Sequence, residues 1–185
     1  MLDLVFAIAL MTTVTGMALP ALQRGLDEQR TAGAARYLAG RLVEARMDAV
    51  RRSAFVGLRF EPGPDDYRVS TILDSNGNGL RTAELLDGVD QVLTVPEPLA
   101  WKFPGVSFGI LPGVPDADGR PAGDADGVRV GTSHILSMNP NGSSSSGTLY
   151  VHGREHTQYA VRVLGATGRV RVVAFEYSAR RWVQR

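Results

Sequence analysis

Four stretches of this chain carry residue types that could do chemistry. The first, His152-Gly153-Arg154-Glu155-His156, has the order of an inverted zinc-protease motif, His-x-x-Glu-His. That motif works on a helix, where both imidazoles share a face and can reach one ion. Gly153 and the strand-like residues before it put this copy in a hairpin loop, so zinc catalysis is not expected. The second stretch, Asp74-Ser75-Asn76-Gly77-Asn78-Gly79-Leu80, looks like the opening of a calcium loop. Such a loop closes with a bidentate glutamate at its twelfth position; here that position is Leu85, and Glu84 stands one residue early. Asn and Gly also favour tight turns unaided. A hairpin turn and a weak calcium site on Asp74, Asn76 and Asn78 therefore both stand, with Asp87 and Asp90 as spare carboxylates; no other cofactor is indicated.

The third stretch, Gly142 to Gly147, has glycines and serines but neither the Gly-Lys-Ser/Thr of a phosphate loop nor the Gly-x-Ser-x-Gly of a hydrolase. The fourth is Gly168-Arg169-Val170-Arg171, followed by Arg180, Arg181 and Arg185. Arginines there could neutralise phosphates, with Trp182 as a stacking surface. Strand alternation alone would also put Arg169 and Arg171 on one solvent face. His134 stands alone at a strand start and reads as structural. Nothing assembles a base, a nucleophile and an oxyanion site, so neither catalysis nor a small-molecule substrate is expected.

Charge is segregated along the chain. The net charge of +1 over 185 residues conceals eight arginines against five acids in residues 1–60, four bases against twelve acids in 61–126, and eight arginines against two acids in 127–185. Lys102 is the only lysine, and there is no cysteine, which excludes a disulfide framework and thiol chemistry. The acidic middle includes Gly113 to Gly127, read as a solvated, flexible loop with too little apolar content to pack.

These stretches need a scaffold, and the first two dozen residues organise it. From Leu4 to Leu22 there is no charged side chain, and Leu4 to Met11 is apolar on every face. About 20 helical residues span the hydrocarbon core of a bilayer. A secretory signal peptide fits poorly, because no basic residue precedes the run and no small-x-small site closes it. Asp3 is a carboxylate at the end of this segment, where burial needs a cationic partner, and Pro20 should kink or loosen one turn. Beyond it Leu22, Leu26, Ala35, Leu38, Leu42, Ala45 and Ala49 form one apolar stripe, with Gly25, Gly33 and Gly40 allowing close approach.

After Ser53 the period changes to two. Strands are expected at 54–60, 67–73, 91–95, 106–110, 134–138, 148–151, 159–164, 170–177 and 181–183, and no second helix pattern appears. The expected class is α+β: a long N-terminal helix, membrane anchor plus amphipathic half, packed on a C-terminal antiparallel sheet domain. Residues 1–22 form the membrane and assembly half of the helix, 23–53 its amphipathic half, and 54–185 the β-rich globular part.

The near-terminal Asp3, the apolar run and Pro20 before Ala21-Leu22 resemble the N-terminal helix of type IV pilins and type II secretion pseudopilins. Ile135 to Val151 (strand, Gly-Ser turn, strand) and Tyr159 to Val172, in that order, resemble the C-terminal domain of the GspH/FimT minor pseudopilins. Asp3 falls where that family usually has glutamate. The family also begins with a short basic leader and a Gly-Phe peptidase site, absent here, so the sequence is expected to begin a few residues late or from an internal start. The resemblance implies a pilin-like fold, N-methylation after leader processing, and assembly with other pilins through the helix, at Asp3 and Pro20. It further implies a single-pass inner-membrane protein with a periplasmic globular domain, placed in a secretion pseudopilus or at a pilus tip. Some members of the family take up DNA with a basic Gly-Arg-x-Arg segment. DNA binding through Arg169, Arg171, Arg180, Arg181 and Arg185 is therefore the alternative function.

Overall fold

In the computed structural model residues 2–154 and 156–185 are described; within 2–20 side chains are described only at Asp3, Phe6 and Met11. Helix α1, Leu2–Arg52, runs unbroken through Pro20. Its end is a Schellman closure: Ser53 takes a positive φ of 52°, its N–H reaches the Val50 carbonyl at 3.3 Å, and that of Ala54 reaches Ala49 at 3.2 Å. A serine in the left-handed region is uncommon, but these two bonds satisfy carbonyls that would otherwise face no donor.

Two antiparallel sheets follow. In the first, β1 (Val56–Pro62) lies between β2 (Tyr67–Leu73) and β7 (Ile135–Met138), while β3 (Gln91–Val92) and β4 (Glu97–Pro98) both pair with β2. The second has the order β11-β10-β9-β8-β5, built from β5 (Ser107–Phe108), β8 (Gly147–His152), β9 (Gln158–Leu164), β10 (Arg169–Glu176) and β11 (Arg181–Gln184). Strand β6 (Val128–Arg129) also pairs with β8.

The core forms where the helix meets the inner faces of both sheets. Ala35, Leu38, Leu42, Ala45 and Ala49 of α1 are buried with Val56, Leu58 and Phe60 of β1, Leu136 and Met138 of β7, and Leu149, Val151, Val161 and Val163 of β8 and β9. The alternation of each strand supplies one such face. At roughly 25 cal/mol per Å² of apolar surface, each fully buried leucine or phenylalanine contributes about 1.5–3 kcal/mol.

Several expectations need correction. Leu22 and Leu26, read as part of the docking stripe, are 60% and 40% exposed, because the sheets reach only as far down the helix as Asp27 and Thr31. Of Gly25, Gly33 and Gly40 only Gly33 meets a neighbour: a Cβ there would stand 3.1 Å from the Phe103 ring, whereas Gly25 and Gly40 face open space. A second helix exists, α2 (Thr82–Leu86), as does a 3₁₀ turn at Leu99–Trp101. Both are too short to impose a helical period on the sequence. The expected strands at 91–95 and 106–110 shorten to two residues each.

The largest difference is the acidic loop, which packs instead of floating. Val114 is 3% exposed and joins Ile110, Tyr150, Ala160 and Phe175 in a second apolar cluster on the outer face of the second sheet, with Ala117, Ala122 and Trp182 against it. Its carboxylates are used as well. Asp116 accepts the N–H of Asp118 and Arg120, and Asp124 and Asp118 take Arg129 and Arg162 at 3.0 and 2.7 Å. Small apolar residues spaced between the acids suffice, because the sheet face beneath supplies the large aromatic surface.

Candidate functional site

Three features tie the helix to the globular unit and so fix how it projects. Furthest along, Arg46 Nε donates to the Gly142 carbonyl at 2.8 Å. A Cβ on Gly168, whose φ is +60°, would stand 2.5 Å from that same carbonyl. One arginine thus joins the Gly-Ser turn to the turn before β10. Arg41 next donates to Thr71 on β2 at 2.6 Å and to the Tyr37 hydroxyl at 2.8 Å. At the lower end Asp27, 8% exposed, accepts the Arg154 N–H at 2.9 Å and the Thr157 hydroxyl at 3.0 Å from the β8–β9 loop. None of the three ties is suggested by sequence spacing. The only local signals were Gly153 and Gly168, which permit the close approaches.

Before Asp27 the helix keeps only a shallow contact with the globular unit among the described residues, at the cleft that Arg24 shares with Tyr159 and Arg185. The described side chains from Asp3 to Leu26 are all exposed, including Phe6 and Met11 at 71% each. At 1.5 Å per residue the helix from Leu2 to Leu26 is about 35–40 Å long. Asp3 lies in the first turn, exposed, where a carboxylate suits the positive end of the helix dipole. Among the described residues no helix is long and apolar enough to cross a membrane. The apolar run read as the spanning segment, and the Pro20 side chain with it, falls mostly outside the described side chains.

The five arginines of the basic segment are not one patch. Arg169 and Arg171 sit exposed near the start of β10 on the sheet's outer face. Arg180 and Arg181 lie at its other end, about 17–24 Å away along the strand since Arg181 pairs with Glu176, and the Arg181 side chain approaches that of Glu176 at 4.0 Å. Arg185 faces the helix side, lining a small cleft with Arg24, Glu28 and Tyr159. Trp182, read as a stacking surface, is covered: its ring lies 5.9 Å from Tyr150 and 5.4 Å from Phe175. Its Nε1 donates to the carbonyls of Pro115 and Asp116.

The remaining motifs resolve by geometry. His152 ends β8 and His156 lies in the loop before β9, so their imidazoles share no helix face; Glu155 lies outside the described residues. His134, at φ 51°, stacks on Tyr67 at 5.6 Å. The Tyr67 hydroxyl donates to Asp126 at 3.0 Å, and burial, then that bond, push its phenol up to about 12. Asp66 beside it is raised by burial, against the N–H groups of Tyr67 and Phe108 that favour its ionised form. These groups tie the β1–β2 turn to β5 and Asp126, and no nucleophile lies among them. In the Asp74 loop, Asp74 accepts the N–H of Asn76, Gly77 and Gly79. Asn76 and Asn78 turn their amides toward Glu84. Among the described residues no three His, Asp or Glu side chains stand as a ready metal-holding group.

No protein-family model matches the chain. Over 82 residues, 42% of its length, it is 37% identical to Pilin-like protein PilA1 of Thermus thermophilus, 48% of which is covered. The chain thus spans about half the length of the curated relative it matches. Among solved structures it is similar to the minor pseudopilin EpsH from the Type 2 Secretion System of Vibrio cholerae, with a TM-score of 0.48 and 15% identity, covering 78% of this chain and 97% of that one. The similarity to a pilin-like protein agrees with the resemblance carried by the N-terminal helix.

Proposed function

We propose that this pilin-like chain is a non-catalytic structural subunit, a minor pseudopilin that assembles with other pilins through its N-terminal helix in a secretion pseudopilus or a type IV pilus. The observation that carries the reading is the course of α1: among its described side chains burial begins at Asp27, and every described side chain before it is exposed. By its sequence the first half of the helix carries the uncharged run from Leu4 to Leu22, which suits apolar surroundings such as a bilayer or a bundle of like helices. On this reading the helix anchors the chain in the inner membrane, with the globular part periplasmic. Asp3 then becomes costly in hydrocarbon unless a cation meets it, and a neighbouring subunit's amino terminus is the natural partner. Asp3→Ala should leave membrane insertion intact, since removing a charge eases it, and should impair co-assembly with partner pilins. Cross-linked assemblies at wild-type levels in that variant would remove the pairing.

A second reading, DNA binding, has one observation in its favour: Arg169 and Arg171 are exposed on one face, and no acidic side chain among the described residues pairs with either. Binding of this kind would run through phosphates. Arg169→Gln with Arg171→Gln should weaken duplex binding and flatten its salt dependence by about one unit per arginine. Because Arg180, Arg181 and Arg185 point elsewhere, the loss should be larger than five clustered arginines would give. Absence of binding at low salt in the intact chain would end this reading.

A further inference from the structure

We infer that the segment from Asp74 to Asp90 is a calcium site closed by Asp90, a residue outside the sequence motif. The observation is an orphaned atom. Asp90 is 3% exposed, its Oδ1 accepts the Ser75 N–H at 3.2 Å, and its Oδ2 is buried with no hydrogen-bond partner. A buried carboxylate oxygen left bare is strongly unfavourable unless a cation or a donor meets it. Among the described residues no cationic side chain pairs with Asp74 or Asp90; the one base in the segment, Arg81, is exposed and reaches Glu84 at 3.7 Å. Asp74 is also 3% exposed, so two buried carboxylates flank Ser75 without a counter-charge.

The remaining oxygens are already gathered. Asp90's own N–H is held by the Glu84 carbonyl at 3.2 Å, which keeps Asp90 beside α2. Glu84, one residue short of the twelfth position, directs its two oxygens at the amides of Asn76 and Asn78, at 3.0 and 2.8 Å. A half-turn about its terminal bond lets the Asn78 amide present oxygen instead of nitrogen, while Asn76 would also give up the Asn78 N–H that its Oδ1 accepts at 3.1 Å. An ion would then meet oxygens from Asp74, Asn76 or Asn78, Glu84 and Asp90. This set is not assembled in advance, so the site closes as the ion enters. An all-oxygen set on an irregular, adjustable loop suits calcium; magnesium demands a stricter octahedron, and zinc prefers nitrogen and sulfur. Leu80 fixes the loop to the sheet, since a Cβ on Gly57 of β1 would stand 2.7 Å from its methyl. Loading would therefore stiffen the end of the first sheet where β1 begins and β2 stops.

The test uses the full chain in detergent micelles, stripped with EGTA, then titrated with calcium chloride or magnesium chloride. Unfolding temperature and calorimetric heat are the readouts. Millimolar calcium should raise the unfolding temperature by about 5 °C, and equal magnesium should not. Asp90→Asn should be as stable as wild type or more so in EGTA, because it removes a bare buried charge, and should lose the calcium-induced rise. Glu84→Gln should weaken calcium binding by about tenfold or more. Three outcomes overturn the site: no calcium-dependent rise in the wild type, the same rise in Asp90→Asn, or an Asp90→Asn variant destabilised in EGTA.

Discussion

Gly153→Ala should destabilise the folded chain by about 3 kcal/mol or more, although it adds a single methyl group. Gly153 is buried between β8 and β9, directly over the helix. A Cβ there would stand 2.5 Å from the Thr31 hydroxyl and 2.6 Å from Asp27 Oδ1, and would collide with Asp27 Oδ2. The carboxylate cannot swing away cheaply. It holds the Arg154 N–H and the Thr157 hydroxyl, while Thr31 is itself bonded to the Asp27 carbonyl at 2.8 Å. Relief must come from parting the loop and the helix, which breaks the lower tie. Asp27→Ala alone should cost about 2–4 kcal/mol, because the loop donors lose a charged acceptor. The double variant should be less unstable than the sum of the two by at least about 1 kcal/mol, since removing the carboxylate makes room for the methyl. Urea unfolding of the four proteins measures this. Strict additivity, or a near-neutral Gly153→Ala, would show that the loop does not press on the helix. On the proposed assembly through α1 this joint holds the globular part at a fixed angle, so assembly should fall with stability.

Trp182→Ala should cost about 2–4 kcal/mol and release the acidic loop. The indole fills the space between Tyr150, Phe175 and the loop backbone, and its N–H serves the carbonyls of Pro115 and Asp116. Its removal leaves both a cavity and unmet acceptors. Trp182→Phe separates the two effects: it keeps most of the ring packing but loses both bonds, for an expected cost of about 1–2 kcal/mol. In both variants residues 113–127 should become the first site of limited proteolysis. An unchanged cleavage pattern and unchanged stability would mean that the indole is free on the surface. That result would restore its reading as a stacking platform.

The elements themselves were legible in the sequence because their signals are local. An uncharged run followed by a stripe at three- and four-residue steps reads as one long helix, as α1 is. The alternation in Tyr67 to Leu73 gave β2 its observed bounds, since both of its ends are marked by turn residues. The absence of a helical setting for His152 and His156 was readable for the same reason. Where the signal is shorter than one period it fails, as at α2, whose five residues carry no repeat.

Which distant groups meet was settled by the folded arrangement alone. Asp27 finds Arg154 across 127 positions, Arg46 finds Gly142 across 96, and Trp182 finds Asp116 across 66. Spacing along a chain says nothing about such pairs, because they depend on how two sheets close over one helix. The same closure turned an acidic loop into a packed cover and divided five arginines among separate surfaces. It also stopped the docking stripe at Asp27 instead of Leu22, because the two sheets extend no further down the helix. The order of residues is enough to divide the helix into an apolar first half and a docking second half. The point at which burial of the described side chains begins was set by the reach of the sheets.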